Sequence, residues 1–283
     1  MLMKIGNDNN FSKDAKYKLY RTVYEILHPT ISKKNISNYK VVLDEELLPV
    51  QVFYPKKVTG MSKVIIAIPG DGNVSGCYGK YTDIYKNMAV ETDTLIIAID
   101  YFKNNLKYKS NLNKIFKVVN YLYNELISNG ILEKNIVFMS DSIGCGILGE
   151  ILLKLQKKHI LINKSIWLYP VCRKDYSTYT WDEKYLSMNF NLDKKIIMYL
   201  DKHFPKDKDR GRELLSLTKE DILGNNIVIS GEMDLLLEEE KMFSKNINAD
   251  FLGVKFLGHG FLGNEINEEM KEVYTKICDF VKL

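Results

Sequence analysis

Six short apolar runs recur along the chain, separated by longer stretches with helical spacing. They are Val64–Ile68 (VIIAI), Leu95–Ile99 (LIIAI), Ile136–Met139 (IVFM), Ser165–Leu168 (SIWL), Ile227–Ile229 (IVI) and Val254–Leu257 (VKFL). Each is bounded by polar residues, glycine or proline, and each is apolar on both of its alternating sides. Strands of that kind are buried on both faces, which is the situation in a parallel sheet. Two further β-rich runs precede them, Tyr39–Leu43 and Val50–Tyr54, joined by a short acidic stretch that suits an antiparallel pair. Between the runs, Leu112–Ser128 places Ile115, Val118, Val119, Leu122 and Leu126 on one helical face. Gly130 then stops the helix. Ile143–Lys157 and Asn264–Leu283 are two more helix candidates. The expectation is an α/β fold: an eight-stranded, mostly parallel sheet with helices on both faces.

Two segments break the alternation. One is the N-terminal stretch 1–36, with a helix near Lys13–Leu27. The other is 172–224, rich in aromatics that include Trp181, Tyr185 and Phe190. A long insertion in a compact domain is usually functional. Both are read as parts of a helical lid on a single domain spanning 1–283, with Trp181, Tyr185 and Phe190 as lining of a substrate pocket. A pair of extra surface helices is the plainer alternative for the second segment.

Composition narrows the class. With 40 basic and 36 acidic residues the net charge is only +4, and the lysines are scattered, so no nucleic-acid footprint is read. The four cysteines, Cys77, Cys145, Cys172 and Cys278, have no metal or redox spacing and fit a reducing compartment. No secretory leader and no membrane-spanning run is seen, which gives the expectation of a cytoplasmic protein without cofactor or metal.

Chemistry concentrates at strand ends. The run IVFM leads into Ser140-Asp141-Ser142-Ile143-Gly144 and then an apolar helix. A serine at the apex of a strand–turn–helix is a nucleophile elbow, whose strained backbone needs small residues two positions either side. Here those are Ser140 and Gly144. Ser142 is therefore the candidate nucleophile, with Ser140 as the rival; the plainer reading is an N-cap cluster. The run VIIAI ends in Pro69-Gly70-Asp71-Gly72. Its main chain, with that of Ile143, could supply oxyanion donors, giving Gly70, Asp71 and Ile143. Of the four histidines only His259 follows a late strand, flanked by Gly258 and Gly260. Asp234, a few residues past Ile227–Ile229, is the candidate acid; Glu232 is its rival, and Glu238 and Glu239 read as an acidic helix start.

These residues resemble the hormone-sensitive-lipase-like group of α/β-hydrolases. Pro69-Gly70-Asp71-Gly72 is similar to that family's His-Gly-Gly-Gly loop, and Asp141-Ser142-Ile143-Gly144 to its Gly-Asp-Ser-Ala-Gly elbow. Asp234-Leu235-Leu236-Leu237-Glu238-Glu239 is similar to its Asp-Pro-Leu-x-Asp-Glu segment, His259-Gly260-Phe261 to its His-x-Phe, and Asp100-Tyr101 to its Asp-Tyr. The likeness covers roughly 48–283. It implies the α/β-hydrolase fold, a lid built from the N-terminus and a later insertion, and a small-molecule ester as substrate. Pro69, Asp71 and Ser140 depart from the family pattern. A peptidase or amidase on the same three residues, or a non-catalytic binding protein, are the competing expectations.

Overall fold

Alternate residues of one strand point to opposite faces, and here both faces are dry. In β4 (Val64–Ile68) the side chains of Val64, Ile66 and Ile68 join one apolar cluster, and those of Ile65 and Ala67 join another. The same division holds in β5 (Leu95–Ile99), β6 (Ile136–Asp141), β7 (Lys164–Leu168) and β8 (Asn225–Gly231). The computed structural model describes residues 2–5, 36–43, 46–56, 63–70, 80–99, 101, 108–173, 211–263 and 266–283.

The remaining strands are β1 (Leu2–Ile5), β2 (Ile36–Leu43), β3 (Glu46–Phe53) and β9 (Asp250–Val254). Together they form one sheet in the order β1-β2-β3-β5-β4-β6-β7-β8-β9. The six strands from β4 onward are parallel to one another, and β3 is antiparallel to both β2 and β5. The sheet thus has nine strands, not eight. The extra strand comes from the N-terminal stretch expected to be lid, where Leu2–Ile5 pairs in parallel with Lys40–Leu43 and covers the β2 edge.

Five helices are described: α1 (Lys80–Glu91), α2 (Tyr108–Ser128), α3 (Gly144–Gln156), α4 (Leu237–Asn246) and α5 (Glu268–Lys282). Helices α2, α3 and α4 pack on one face of the sheet, while α1 and α5 pack on the other. Helix α1 went unread in the sequence, although Tyr81, Ile84, Tyr85, Met88 and Ala89 repeat at helical spacing and are all buried. Helix α5 starts later than expected, because Asn267 caps it by accepting the Met270 N–H at 2.9 Å. None of the described helices is long and apolar enough to cross a membrane.

The last strand is shifted. The run VKFL is not β9; Lys255 and Phe256 form a turn, with Phe256 at φ 61°, and β9 is DFLGV. Gly253 inside that strand weakens its sequence signal. The residues after β9 instead continue the pairing with the loop after β8: Glu232 N–H donates to Val254 O and Met233 N–H to Leu257 O, each at 2.9 Å.

The parts of 172–224 that are described, 172–173 and 211–224, bury Cys172, Leu214, Leu217 and Ile222 in the core. Trp181, Tyr185 and Phe190, and the expected helix near Lys13–Leu27, lie outside the described residues.

Candidate active site

In an open parallel sheet, ligands bind at the carboxyl ends of the strands where the strand order reverses. The chain runs outward from β4 to β5 and returns to β6 on β4's other side, so the reversal lies between β4 and β6. Gly70 follows β4, and Ser142 follows β6, at this crevice. Asp234 and His259 stand past the ends of β8 and β9.

Ser142 has φ 49°, in the left-handed region. A non-glycine residue there carries about 1–3 kcal/mol of strain and needs its surroundings to hold it. Ser142 N–H donates to Leu168 O at 2.9 Å, and Ser142 O accepts from Cys145 N–H and Val171 N–H, each at 3.2 Å. Gly144 is obligatory: a Cβ there would lie 2.6 Å from Ser140 Oγ, 2.8 Å from Ile68 O and 2.9 Å from Pro69 O. Ser140, the rival, is buried, with its hydroxyl donating to Ile68 O at 2.6 Å. It stitches β6 to β4 where the family pattern has glycine.

Ser142 Oγ lies 2.8 Å from His259 Nε2, and His259 Nδ1 lies 2.8 Å from Asp234 Oδ2. Asp234 is fully buried, and its other oxygen accepts the Leu236 N–H at 2.9 Å. This fixes the carboxylate while it faces the ring. Glu232 is exposed and Glu238 pairs with Lys241, so neither takes the place beside His259. The His259 ring packs edge-on against Tyr169, centroids 5.1 Å apart, and Tyr169 in turn against Phe261 at 4.5 Å. A serine hydroxyl, an imidazole and a buried carboxylate in this order can deprotonate the serine oxygen and carry its proton.

The residue before the serine had no assigned task in the sequence. Asp141 is buried, and its carboxylate accepts three hydrogen bonds: from Gly70 N–H at 3.0 Å, Tyr81 OH at 2.6 Å and Tyr169 OH at 3.2 Å. Burial pushes its pKa up to about 6, against the pull of those donors. Burial first, then the Asp141 charge, hold both phenols well above the usual tyrosine range, so they remain donors. Tyr101 OH secures the same loop by donating to Pro69 O at 2.5 Å. Gly70 cannot carry a side chain, since a Cβ would meet Asp141 O at 1.9 Å.

This changes the reading of the oxyanion donors. The Gly70 N–H, counted among them from the sequence, is committed to Asp141. Asp71 lies outside the described residues. Ile143 stands at the start of α3, where the first-turn amides have no intrahelical acceptor.

A family model described as alpha/beta hydrolase fold matches residues 65–259. The chain belongs to the alpha/beta hydrolase fold family. No curated protein matches this α/β hydrolase in sequence. Among solved structures it is similar to an esterase from Pyrobaculum calidifontis, with 14% identity, a TM-score of 0.74, and 95% of this chain and 92% of that one covered. It is also similar to a thermostable esterase from Pseudomonas putida, with 16% identity, a TM-score of 0.73 and coverages of 96% and 91%. An arylesterase matches with 17% identity, a TM-score of 0.69 and coverages of 96% and 91%. At such identities the likeness is one of fold, and the α/β hydrolase shares with these proteins the sheet that carries the strand-end residues described above.

Proposed function

We propose that this α/β hydrolase is a serine esterase that cleaves a small to medium carboxylic ester through an acyl-enzyme on Ser142. One observation carries the reading: Ser142 Oγ lies 2.8 Å from one ring nitrogen of His259, and Asp234 Oδ2 lies 2.8 Å from the other. The names of the similar solved structures, esterase and arylesterase, support the choice of an ester.

In this reading Asp234 accepts a hydrogen bond from the Nδ1–H of His259 and fixes the tautomer whose Nε2 is a base. Ser142 Oγ attacks the ester carbonyl carbon as its proton passes to Nε2. The tetrahedral oxyanion takes hydrogen bonds from the main chain of Ile143 and Asp71. Gly70 acts through Asp141, holding the loop in place. As the C–O bond to the alcohol breaks, Nε2 returns its proton to the leaving oxygen. Water, deprotonated by the same nitrogen, then releases the acid and restores Ser142. Trp181, Tyr185 and Phe190 form the apolar wall for the acyl chain, since ester pockets are mostly apolar and aromatic.

Labelling with a fluorophosphonate tests the reading together with hydrolysis of p-nitrophenyl acetate. Wild type should label once, at Ser142, and turn over the ester; Ser142→Ala should do neither. Labelling at another serine, or hydrolysis that survives Ser142→Ala, sinks the assignment. Matched ester and anilide substrates separate an esterase from an amidase.

A further inference from the structure

Behind Asp234 lies a carboxyl group for which the proposed reaction has no task. Glu240, in the first turn of α4, is 0% exposed. Among the described residues no donor meets either of its carboxyl oxygens with good hydrogen-bond geometry, although the Ser230 hydroxyl lies close by. Its neighbour Glu239 is treated differently, bound by Arg173 Nε at 3.0 Å and the Cys172 N–H at 3.4 Å. One oxygen of Glu240, one of Asp234 and a ring nitrogen of His259 all lie within 4.8 Å of one another.

An ionised carboxylate with no cation and at most one neighbouring hydroxyl as donor would bear most of its desolvation penalty. It would also stand beside a second negative carboxylate, and two carboxylates sharing a site do not both ionise readily. A neutral carboxylic acid removes both difficulties, but its O–H then needs an acceptor. The neighbour with acceptor capacity to spare is Asp234, which receives one N–H from Leu236 and one from His259.

We propose that Glu240 is a positioning residue of the triad, a protonated carboxylic acid whose O–H points at Asp234 and moderates the negative charge that Asp234 presents to His259. The inference rests on the triad reading given above. Burial, followed by the Asp234 charge, pushes the Glu240 carboxyl well above the usual carboxylate range, in keeping with a group that holds its proton. The titratable and charged groups around it are Asp234 after β8, Glu239 on its own helix with Arg173 as partner, His259 after β9, Cys145 on α3 and Cys172 after β7, with the Ser230 hydroxyl from β8. Arg173 is the cation of this set, and it is taken by Glu239. The sequence hides Glu240 in an acidic run, Glu238-Glu239-Glu240, that reads as an ordinary helix start.

The sign of one measurement decides the proposal. The full chain, Glu240→Leu and Glu240→Gln are compared by kcat/KM for p-nitrophenyl acetate and by the rate of fluorophosphonate labelling at Ser142, from pH 5 to 9. In Glu240→Leu, Asp234 keeps its whole charge on His259 and favours the imidazolium. The acid limb should move to higher pH by about one unit, so that about tenfold less of the plateau rate remains well below the midpoint. Glu240→Gln still donates an N–H and should keep the wild-type midpoint. Midpoints that fall in both variants would mean an ionised Glu240 and overturn the proposal. Midpoints unmoved in both would mean a space-filling residue and overturn it equally. Infrared spectroscopy reads the proton directly, even if Glu240→Leu does not fold. Wild type at pH 8 should show a protonated-carboxyl band that Glu240→Gln lacks, and absence of that band in wild type overturns the proposal. If wild type labels at Ser142 but the midpoints of both variants stay unmoved, the role of Glu240 alone is sunk; a wild type that never labels at Ser142 sinks the triad reading.

Discussion

Gly70 gives its N–H to Asp141 Oδ1 at 3.0 Å, so the start of the loop leaving β4 is fastened to the residue that immediately precedes Ser142. The elbow and the end of β4 at Pro69-Gly70 are therefore tied together. The fastening is a carboxylate that burial has made a weaker acid, with a pKa of about 6.

That gives a pH signature in stability. Asp141 binds its proton more tightly in the folded chain than a free carboxyl does, so its contribution is fully present below about pH 4 and is lost as pH rises through about 6. At 1.36 kcal/mol per pH unit, its ionisation opposes folding by about 3 kcal/mol at pH 7. The groups facing it are Tyr81, Tyr169, His259 and Cys145. In Asp141→Asn the fall in stability between pH 4 and 7 should flatten by that amount, as read from denaturant unfolding at several pH values. An unchanged slope would show that Asp141 is ionised over the whole range. Activity should drop as well, because an amide cannot accept all three donors.

Ser142→Ala removes the attacking oxygen and leaves the turn. Turnover should fall on the order of 10⁶-fold, with a melting temperature within a few degrees of wild type. Ser140→Ala should behave oppositely: it loses the bond to Ile68 O, about 1 kcal/mol of stability, and keeps most of its turnover. Kinetics and calorimetry on the two variants distinguish them, and reversed effects would move the nucleophile to Ser140.

Gly144→Ala should damage the elbow without touching a reacting group. Its added carbon meets Ser140 Oγ, Ile68 O and Pro69 O at 2.6, 2.8 and 2.9 Å. Overpacking of this kind costs about 1–3 kcal/mol. Adding Ser140→Gly to the variant relieves one contact of the three, so the double variant should recover only part of the loss in thermal unfolding. Complete recovery would show that the Ile68 and Pro69 backbone yields.

The aromatic segment sets a prediction on chain length. Trp181→Ala, Tyr185→Ala and Phe190→Ala, made singly, should impair hexanoyl and octanoyl esters more than acetyl esters, by about tenfold for a side chain that covers a few methylenes. Equal loss on every ester would mean that the segment supports folding only.

Much of this arrangement was legible because the parallel strands are buried on both faces. VIIAI, LIIAI and IVFM have no polar alternative, and their carboxyl ends mark the crevice before any coordinate is known. His259 was legible by elimination among four histidines, and its 2.8 Å approach to Ser142 joins two strand ends that the sequence read separately. The donor role of Gly70 was not legible. A glycine-rich turn announces free amides, but only the fold shows that Asp141 takes this one. Asp141 was legible as part of the elbow but without a task, and Glu240 was not singled out at all. Both are inward because neighbouring strands and helices surround them, and a pattern along one segment holds no record of that. The β9 register slipped for a related reason. Phe256 belongs to a turn and is 74% exposed, yet its β-propensity is indistinguishable from that of a strand residue.

Ser142 and His259 touch across 117 residues of chain, and Asp234 reaches His259 across 25. No local fragment holds all three, and each is placed by a different strand of one sheet. The alignment of Ser142, His259 and Asp234 can thus exist only in molecules whose parallel core has closed. On the proposed reading of Ser142, fluorophosphonate labelling would count correctly folded chains in a mixed population, and the growth of label during refolding would time the docking of β8 and β9 onto the rest of the sheet.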